Sequence, residues 1–218
     1  MDTIVLLCCT GRSGSTTLLR LINTIPNSNI CGENGGCINH LMNFYRSIKK
    51  TNTFVIGKKN PIPYSKYISS GIKPCWYNSY NYDVVIDNLK KLIINLFKKD
   101  PSVTLWGFKE IRYFDTIDLI EDFKELFPNT KIIVHIKKDI EKQSQSAWWI
   151  NDPSSLNHLS EYNSKLISFY EKHKDYVYLS TFENMFDLNN IKKMFDFIGH
   201  SDNFDVKKIN TVLSNKME

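Results

Sequence analysis

Arg12, Ser13, Gly14, Ser15, Thr16 and Thr17 stand together in the stretch Thr10-Gly11-Arg12-Ser13-Gly14-Ser15-Thr16-Thr17-Leu18-Leu19-Arg20, directly behind the apolar run Ile4-Val5-Leu6-Leu7-Cys8-Cys9. Backbone N–H groups in such a turn can converge on an anion. A following helix adds the partial positive charge of its N-terminus, and the Ser and Thr hydroxyls add donors. Arg12 contributes a fixed positive charge. The loop lacks the Walker pattern: Gly11 and Gly14 are three positions apart, and Ser15 stands where the lysine belongs. An ordinary polar turn between a strand and a helix is the alternative.

Three further groups could join this chemistry. Glu33 lies in Cys31-Gly32-Glu33-Asn34-Gly35-Gly36, where flanking glycines leave room for another molecule beside the carboxylate; a solvated loop glutamate is the alternative. Lys109 sits at the end of the run Val103 to Glu110. Lys138 follows the apolar run Lys131-Ile132-Ile133-Val134-His135-Ile136. Surface lysines would look the same in isolation. His135, inside an apolar run, reads as a satisfied core histidine, and Trp148-Trp149 as core or lid.

The elements that must position these groups alternate. An apolar strand at the start, a helix through Leu18 to Ile22, and a short extended segment from Ile30 lead to a short helix around 38–50. From about 38 to 82 the pattern is irregular and aromatic, with Tyr64, Tyr67, Trp76, Tyr77, Tyr80 and Tyr82 among prolines; this region is the candidate binding site for a second substrate, and packing of the aromatic loops onto the core is the equal alternative. An amphipathic helix at 83–99, a strand at 103–110, a helix at 116–127 and the strand at 131–136 follow. Then come helices at 141–150 and 155–174, a strand at 176–180, a helix at 190–198 closed by Gly199, and a last short helix at 205–216. This alternation predicts a three-layer α/β fold with a mostly parallel sheet, whose ligand lies at the carboxyl ends of the strands. Arg12, Lys109 and Lys138 would share that face.

The chain of 218 residues, 42% hydrophobic and 13% aromatic, fits a single folded domain over 1–218. Its formal charge of +5 suits anionic ligands, but the lysines are scattered in pairs, so no nucleic-acid partner is expected. No secretory leader or membrane span is evident, and a soluble cytoplasmic or otherwise intracellular protein is the expectation. The five cysteines lack zinc spacing; reduced thiols are the plain reading, with a Cys31–Cys37 bridge left open.

Three separated segments together resemble the sulfotransferases that use 3′-phosphoadenosine 5′-phosphosulfate (PAPS). Arg12-Ser13-Gly14-Ser15-Thr16 looks like that family's 5′-phosphosulfate loop. The longer run through Leu18-Leu19-Arg20, Pro26 and Cys31-Gly32-Glu33 is similar to the tyrosylprotein and glycan sulfotransferase branch, which places its catalytic glutamate at the Gly-Glu position. Lys138 and Ser146 hold the places of the family's 3′-phosphate Arg and Ser, eight apart, and Lys137 could share the role. Trp106-Gly107-Phe108-Lys109 resembles the strand end that brings a catalytic lysine to the sulfuryl group, and Phe182-Glu183-Asn184 the segment near the adenine. Thr17 stands where cytosolic members carry an adenine-stacking Trp, and no Arg-Lys-Gly segment occurs near the C-terminus.

The resemblance implies a P-loop NTPase-like sulfotransferase fold and sulfuryl transfer from PAPS to a hydroxyl acceptor, releasing 3′-phosphoadenosine 5′-phosphate (PAP), with no metal. The acceptor would be a glycan, a tyrosyl peptide or a small molecule. It casts Glu33 as general base, with Arg12 and Lys109 stabilising charge. Gly11, Arg12, Ser13, Gly14, Ser15, Thr16, Thr17, Lys138, Ser146 and Phe182 would contact the donor. The alternatives are a divergent P-loop kinase and a nucleotide-binding protein without transfer activity.

Overall fold

A computed structural model of the chain describes residues 2–55 and 81–215. Two compact units emerge, one made of residues 1–36 and 97–218 and the other of residues 37–96.

The larger unit is built on a sheet whose strands pair in parallel throughout, in the order β2-β3-β1-β4-β5. The strands are β1 (Thr3–Cys9), β2 (Ser28–Cys31), β3 (Leu105–Glu110), β4 (Thr130–Ile136) and β5 (Val177–Thr181). The three central strands β3, β1 and β4 are buried almost end to end, which is why they read as continuous apolar runs rather than alternating ones. Helices flank the sheet, as the alternation predicts. The expected strand at 103–110 begins at Leu105, and the short extended segment near Ile30 is the edge strand β2.

On one face, Val5 and Leu7 of β1, Leu105 and Ile133 pack with Leu18, Leu21 and Ile22 of α1 (Ser15–Ile22). Ile191, Met194 and Phe195 of a later helix (Leu188–Phe197) and Ile209 of the last one (Val206–Ser214) complete that core. The other layer is aromatic. Phe108 stacks on Phe97 at 4.4 Å and meets Phe123 edge-on at 5.8 Å, while Trp106 meets Phe127 at 6.0 Å. Gly107, which separates Trp106 from Phe108 in β3, meets β1 closely: a Cβ on Gly107 would sit 1.8 Å from the Val5 carbonyl oxygen, and the residue's φ is 157°.

Local chemistry sets the helix ends. Asp205 accepts from the Lys207 and Lys208 N–H groups, and Asp187 from Asn189 N–H, as N-caps. Gly199, at φ 80°, closes its helix, with His200 N–H on Phe195 C=O at 2.8 Å.

One helix differs from expectation. In place of a continuous helix at 141–150, a short helix (Ile140–Ser144) is followed by an extended Ser146, a left-handed Ala147 at φ 54° and a 3-10 turn (Ala147–Asn151). Side-chain bonds to the first loop, described below, outweigh local helical preference. Cys8, Cys9 and Cys31 carry free thiols.

The smaller unit contains helices Cys37–Val55 and Tyr82–Phe97, the last residue of which belongs to the larger unit. Ile38, Met42, Tyr45 and Ile48 are buried along the first, and Ile86, Leu89 and Ile93 along the second, each set at helical spacing. Tyr64, Tyr67, Trp76, Tyr77 and Tyr80 of the expected second-substrate region lie outside the described residues. Among the described residues no helix is long and apolar enough to cross a membrane.

Candidate functional site

The loop after β1 is shaped by hydrogen bonds to its carbonyl groups. Ser13 Oγ donates to Thr10 C=O at 2.8 Å. Gln143 Nε2 and Trp149 Nε1 donate to Gly11 C=O at 2.7 and 3.1 Å, and His135 Nε2 to Ser13 C=O at 2.8 Å. In a trans peptide the C=O and the following N–H point in opposite directions. With the carbonyls of Thr10, Gly11 and Ser13 held toward buried donors, the N–H groups of Gly11, Arg12 and Gly14 face the other way. Gly11, Arg12, Gly14, Ser15, Thr16 and Thr17 line a cavity of about 540 Å³. Arg12 sits at φ 64°, a conformation costly for a side chain with a Cβ and tolerated where surrounding contacts impose it.

His135 is fully buried. Because Nε2 donates to Ser13 C=O, Nδ1 is the acceptor and takes the Ser180 hydroxyl at 3.0 Å. Burial pushes its pKa down to about 4, so the ring is neutral and serves as a fixed strut under the loop. Cys9, also buried beneath the loop, is pushed up to about 12 by burial, which keeps it a thiol.

Lys109, at the end of β3, is 7% exposed, and its ammonium donates to Glu33 Oε1 at 2.9 Å and to Thr16 Oγ1 at 3.4 Å. Glu33, Lys109 and α1's first turn are thereby brought to one point of the cavity wall. Ser146 lines the same cavity and accepts from Arg12 Nε at 3.0 Å. Phe182 lines it too, its ring against Gly14, where a Cβ would lie 2.4 Å away.

Two expected residues stand elsewhere. Ser13 is fully buried and spends its hydroxyl on Thr10 C=O, outside the cavity lining. Lys138 is exposed, and its backbone N–H, with that of Asp139, donates to Glu183 Oε1 at 3.0 and 3.2 Å. Lys137 takes the inner position: it is 7% exposed, lines the cavity and places its ammonium 4.9 Å from the centre of the Phe182 ring.

Sequence reasoning missed Gln143, Glu110 and Arg112. Gln143 is fully buried and also donates to Thr10 Oγ1 at 3.0 Å. Arg112 joins two carboxylates, donating from one Nη to Glu110 Oε1 at 2.6 Å and Glu33 Oε2 at 3.4 Å. The bond to Glu110 raises its pKa further. A charge pair two apart where the strand ends, Glu110 and Arg112, was the available signal.

The cavity therefore presents three cations, Arg12, Lys109 and Lys137, a hydroxyl-lined turn and one carboxylate at hydrogen-bonding distance from Lys109. Among the described residues no group of three or more His, Cys, Asp or Glu side chains is placed to hold a metal.

Comparison of the fold with solved structures gives consistent neighbours. The sulfotransferase domain of the Synechococcus PCC 7002 olefin synthase aligns with a TM-score of 0.53 and 12% identity, covering 99% of this chain and 78% of that one. A sulfotransferase from Alicyclobacillus acidocaldarius aligns at 0.53 and 11%, covering 100% and 87%. The chain has the sulfotransferase fold. A third neighbour, the sulfotransferase domain from the curacin biosynthetic pathway, aligns at 0.53 and 16% identity over 99% of this chain and 79% of that one. No family model matches the sequence, and comparison with curated proteins gives no match.

Proposed function

We propose that the chain is a PAPS-dependent sulfotransferase acting on a hydroxyl acceptor. The observation that carries this reading is the meeting, in one cavity of a sulfotransferase fold, of the anion-binding turn, the Lys109–Glu33 pair and a second cationic position at Lys137 and Ser146. A donor with anionic groups at both ends of a nucleoside needs two such positions, and the residues present fit it. When bound, PAPS supplies the sulfuryl group as an electrophile with PAP as its leaving group.

The chain's own residues position and neutralise. The N–H groups of Gly11, Arg12 and Gly14, with the Arg12 guanidinium, hold the 5′-phosphosulfate and take up charge on the departing bridging oxygen. Lys109 binds the sulfuryl oxygens. Lys137 and Ser146 bind the 3′-phosphate, with Lys138 contributing charge from the rim, and Phe182 lies along the nucleoside. Glu33 accepts the acceptor's hydroxyl proton as the new O–S bond forms, a role worth about 10²- to 10⁴-fold. The Gly32-Glu33 resemblance to the tyrosylprotein and glycan branch supports that role for Glu33 and leaves glycans, tyrosyl peptides and small hydroxyl compounds as acceptor classes.

The test is a thermal-shift comparison of PAP, ADP and ATP, followed by a labelled-PAPS acceptor screen with wild type and Glu33→Gln. PAP at about 100 times its Kd stabilises by about 2.7 kcal/mol, more than ADP or ATP at equal concentration. Glu33→Gln keeps PAP binding and loses turnover. Preference for ATP would instead point to a divergent P-loop kinase, and PAP binding without transfer to any acceptor to a nucleotide-binding protein.

A further inference from the structure

Glu110 is a fully buried carboxylate one residue beyond Lys109, and nothing in the proposed chemistry uses it. Its surroundings are unusual for a structural ion pair. Oε2 accepts the backbone N–H groups of Asn34 and Gly36, each at 3.2 Å. Oε1 accepts the N–H of Ile111 at 2.9 Å and an Arg112 Nη at 2.6 Å. Four donors fill the acceptor capacity of one carboxylate. Gly35, between the two donors, has a positive φ of 65°, a turn that lets the N–H groups of Asn34 and Gly36 converge on one point, and Glu110 Oε2 is the anion at that point.

The loop so gripped is the one that carries Glu33. Successive residues of a strand face opposite ways, so Lys109 and Glu110 reach this loop from two sides. Lys109 takes the Glu33 side chain at Oε1, and Glu110 takes the backbone immediately after it. Arg112 closes the arrangement by joining Glu33 Oε2 to Glu110 Oε1.

We infer that Glu110 is a positioning residue, whose buried carboxylate clamps loop 32–36 and, through Arg112, fixes where the Glu33 carboxylate points. This rests on the reading of Glu33 as the base. A clamp of this kind gives a flexible, glycine-rich loop the fixed geometry that proton transfer requires, since misplacing a reacting group by about 1 Å can cost about 10²-fold in rate.

Glu110→Gln tests it. The amide keeps the shape but has one acceptor oxygen, and its NH₂ must face N–H donors whichever way it is turned. Amide hydrogen exchange of the segment 31–37 is expected to speed up at residues 34 and 36, while PAP affinity stays within about threefold and kcat on an acceptor from the screen falls about 10²-fold. In a Glu33→Gln background the same change should lower kcat less than about twofold, because the group it aims is gone. Arg112→Lys, at a half-exposed position, keeps a positive charge beside Glu110 but loses the fork that reaches both carboxylates; it should lower kcat about tenfold with folding intact, and covers the case in which Glu110→Gln fails to fold.

Unchanged exchange at 34 and 36 would overturn the clamp. Equal kcat losses with and without Glu33 would overturn the aiming role and leave Glu110 a fold-stabilising residue. A wild-type protein that ignores PAP, or a Glu33→Gln variant with full turnover, would overturn the proposed function and with it the aiming role, while the exchange data still decide the clamp.

Discussion

Acid should destabilise this protein in part through one identifiable residue. His135 is fully buried under the first loop, and burial holds its pKa near 4, against an ordinary value of 6.5. In the folded chain the ring is therefore neutral over a range where the unfolded chain binds a proton. Protons then favour the unfolded state. The stability contributed by the neutral ring is complete above pH 6.5, falls as pH drops from 6.5 to 4, and changes no further below that. The two pKa values differ by about 2.5 units, which corresponds to about 3 kcal/mol across the window, or up to about 1.4 kcal/mol per pH unit. Urea unfolding of wild type and His135→Gln at intervals from pH 4 to 8 measures this. Glutamine can still donate to Ser13 C=O but does not titrate, and subtracting the two curves cancels the carboxylates common to both. The expected difference curve slopes between pH 4 and 6.5 and is flat above. Parallel curves through that window would show that His135 titrates normally and that burial does not govern it.

Lys137 and Lys138 separate cleanly. Lys137→Ala should weaken PAP binding about tenfold or more by calorimetry, because a nearly buried ammonium on the cavity wall is lost; Lys138→Ala, at an exposed position, should change it less than about twofold. Equal losses would reverse the two placements. Gly107→Ala should cost about 3 kcal/mol or more in urea midpoint at constant m-value, since the new methyl would meet the Val5 carbonyl oxygen at 1.8 Å. A wild-type midpoint would refute the β1–β3 register at that pair.

Much of this molecule could be read from the sequence because its central strands are buried on both faces. Ile4 to Cys9 is apolar throughout and Ile132 to Ile136 is apolar but for His135, and the helices between them carry apolar residues at helical spacing. The same property hid the position of the second cation. With no alternation in β4, nothing local says which of Lys137 and Lys138 turns inward after the strand ends at Ile136. The break at Ser146 was hidden for a different reason. Its causes are Arg12 on Ser146 Oγ and Trp149 on Gly11 C=O, contacts made 134 and 138 residues along the chain. Glu110 was hidden because it binds main-chain N–H groups, 74 and 76 residues away, which have no residue-type signature.

These long-range contacts also bear on how the cavity should respond to substitution. The buried donors to the first loop, His135, Gln143 and Trp149, all come from residues 130–151, the segment that also carries Lys137 and Ser146. The turn that cradles one anion is thus hydrogen-bonded to the segment that presents the other, and Arg12 to Ser146 joins them again at the surface. Residues within one hydrogen-bond network do not contribute independently. Shortening Ser146 to alanine therefore removes a donor from the second anion position and also frees Arg12, so its effect on a ligand reaching both positions should differ from the sum of the separate losses. A substitution at Lys137, whose ammonium lies over the Phe182 ring, leaves the Arg12 to Ser146 bond in place and is the cleaner measure of the second position.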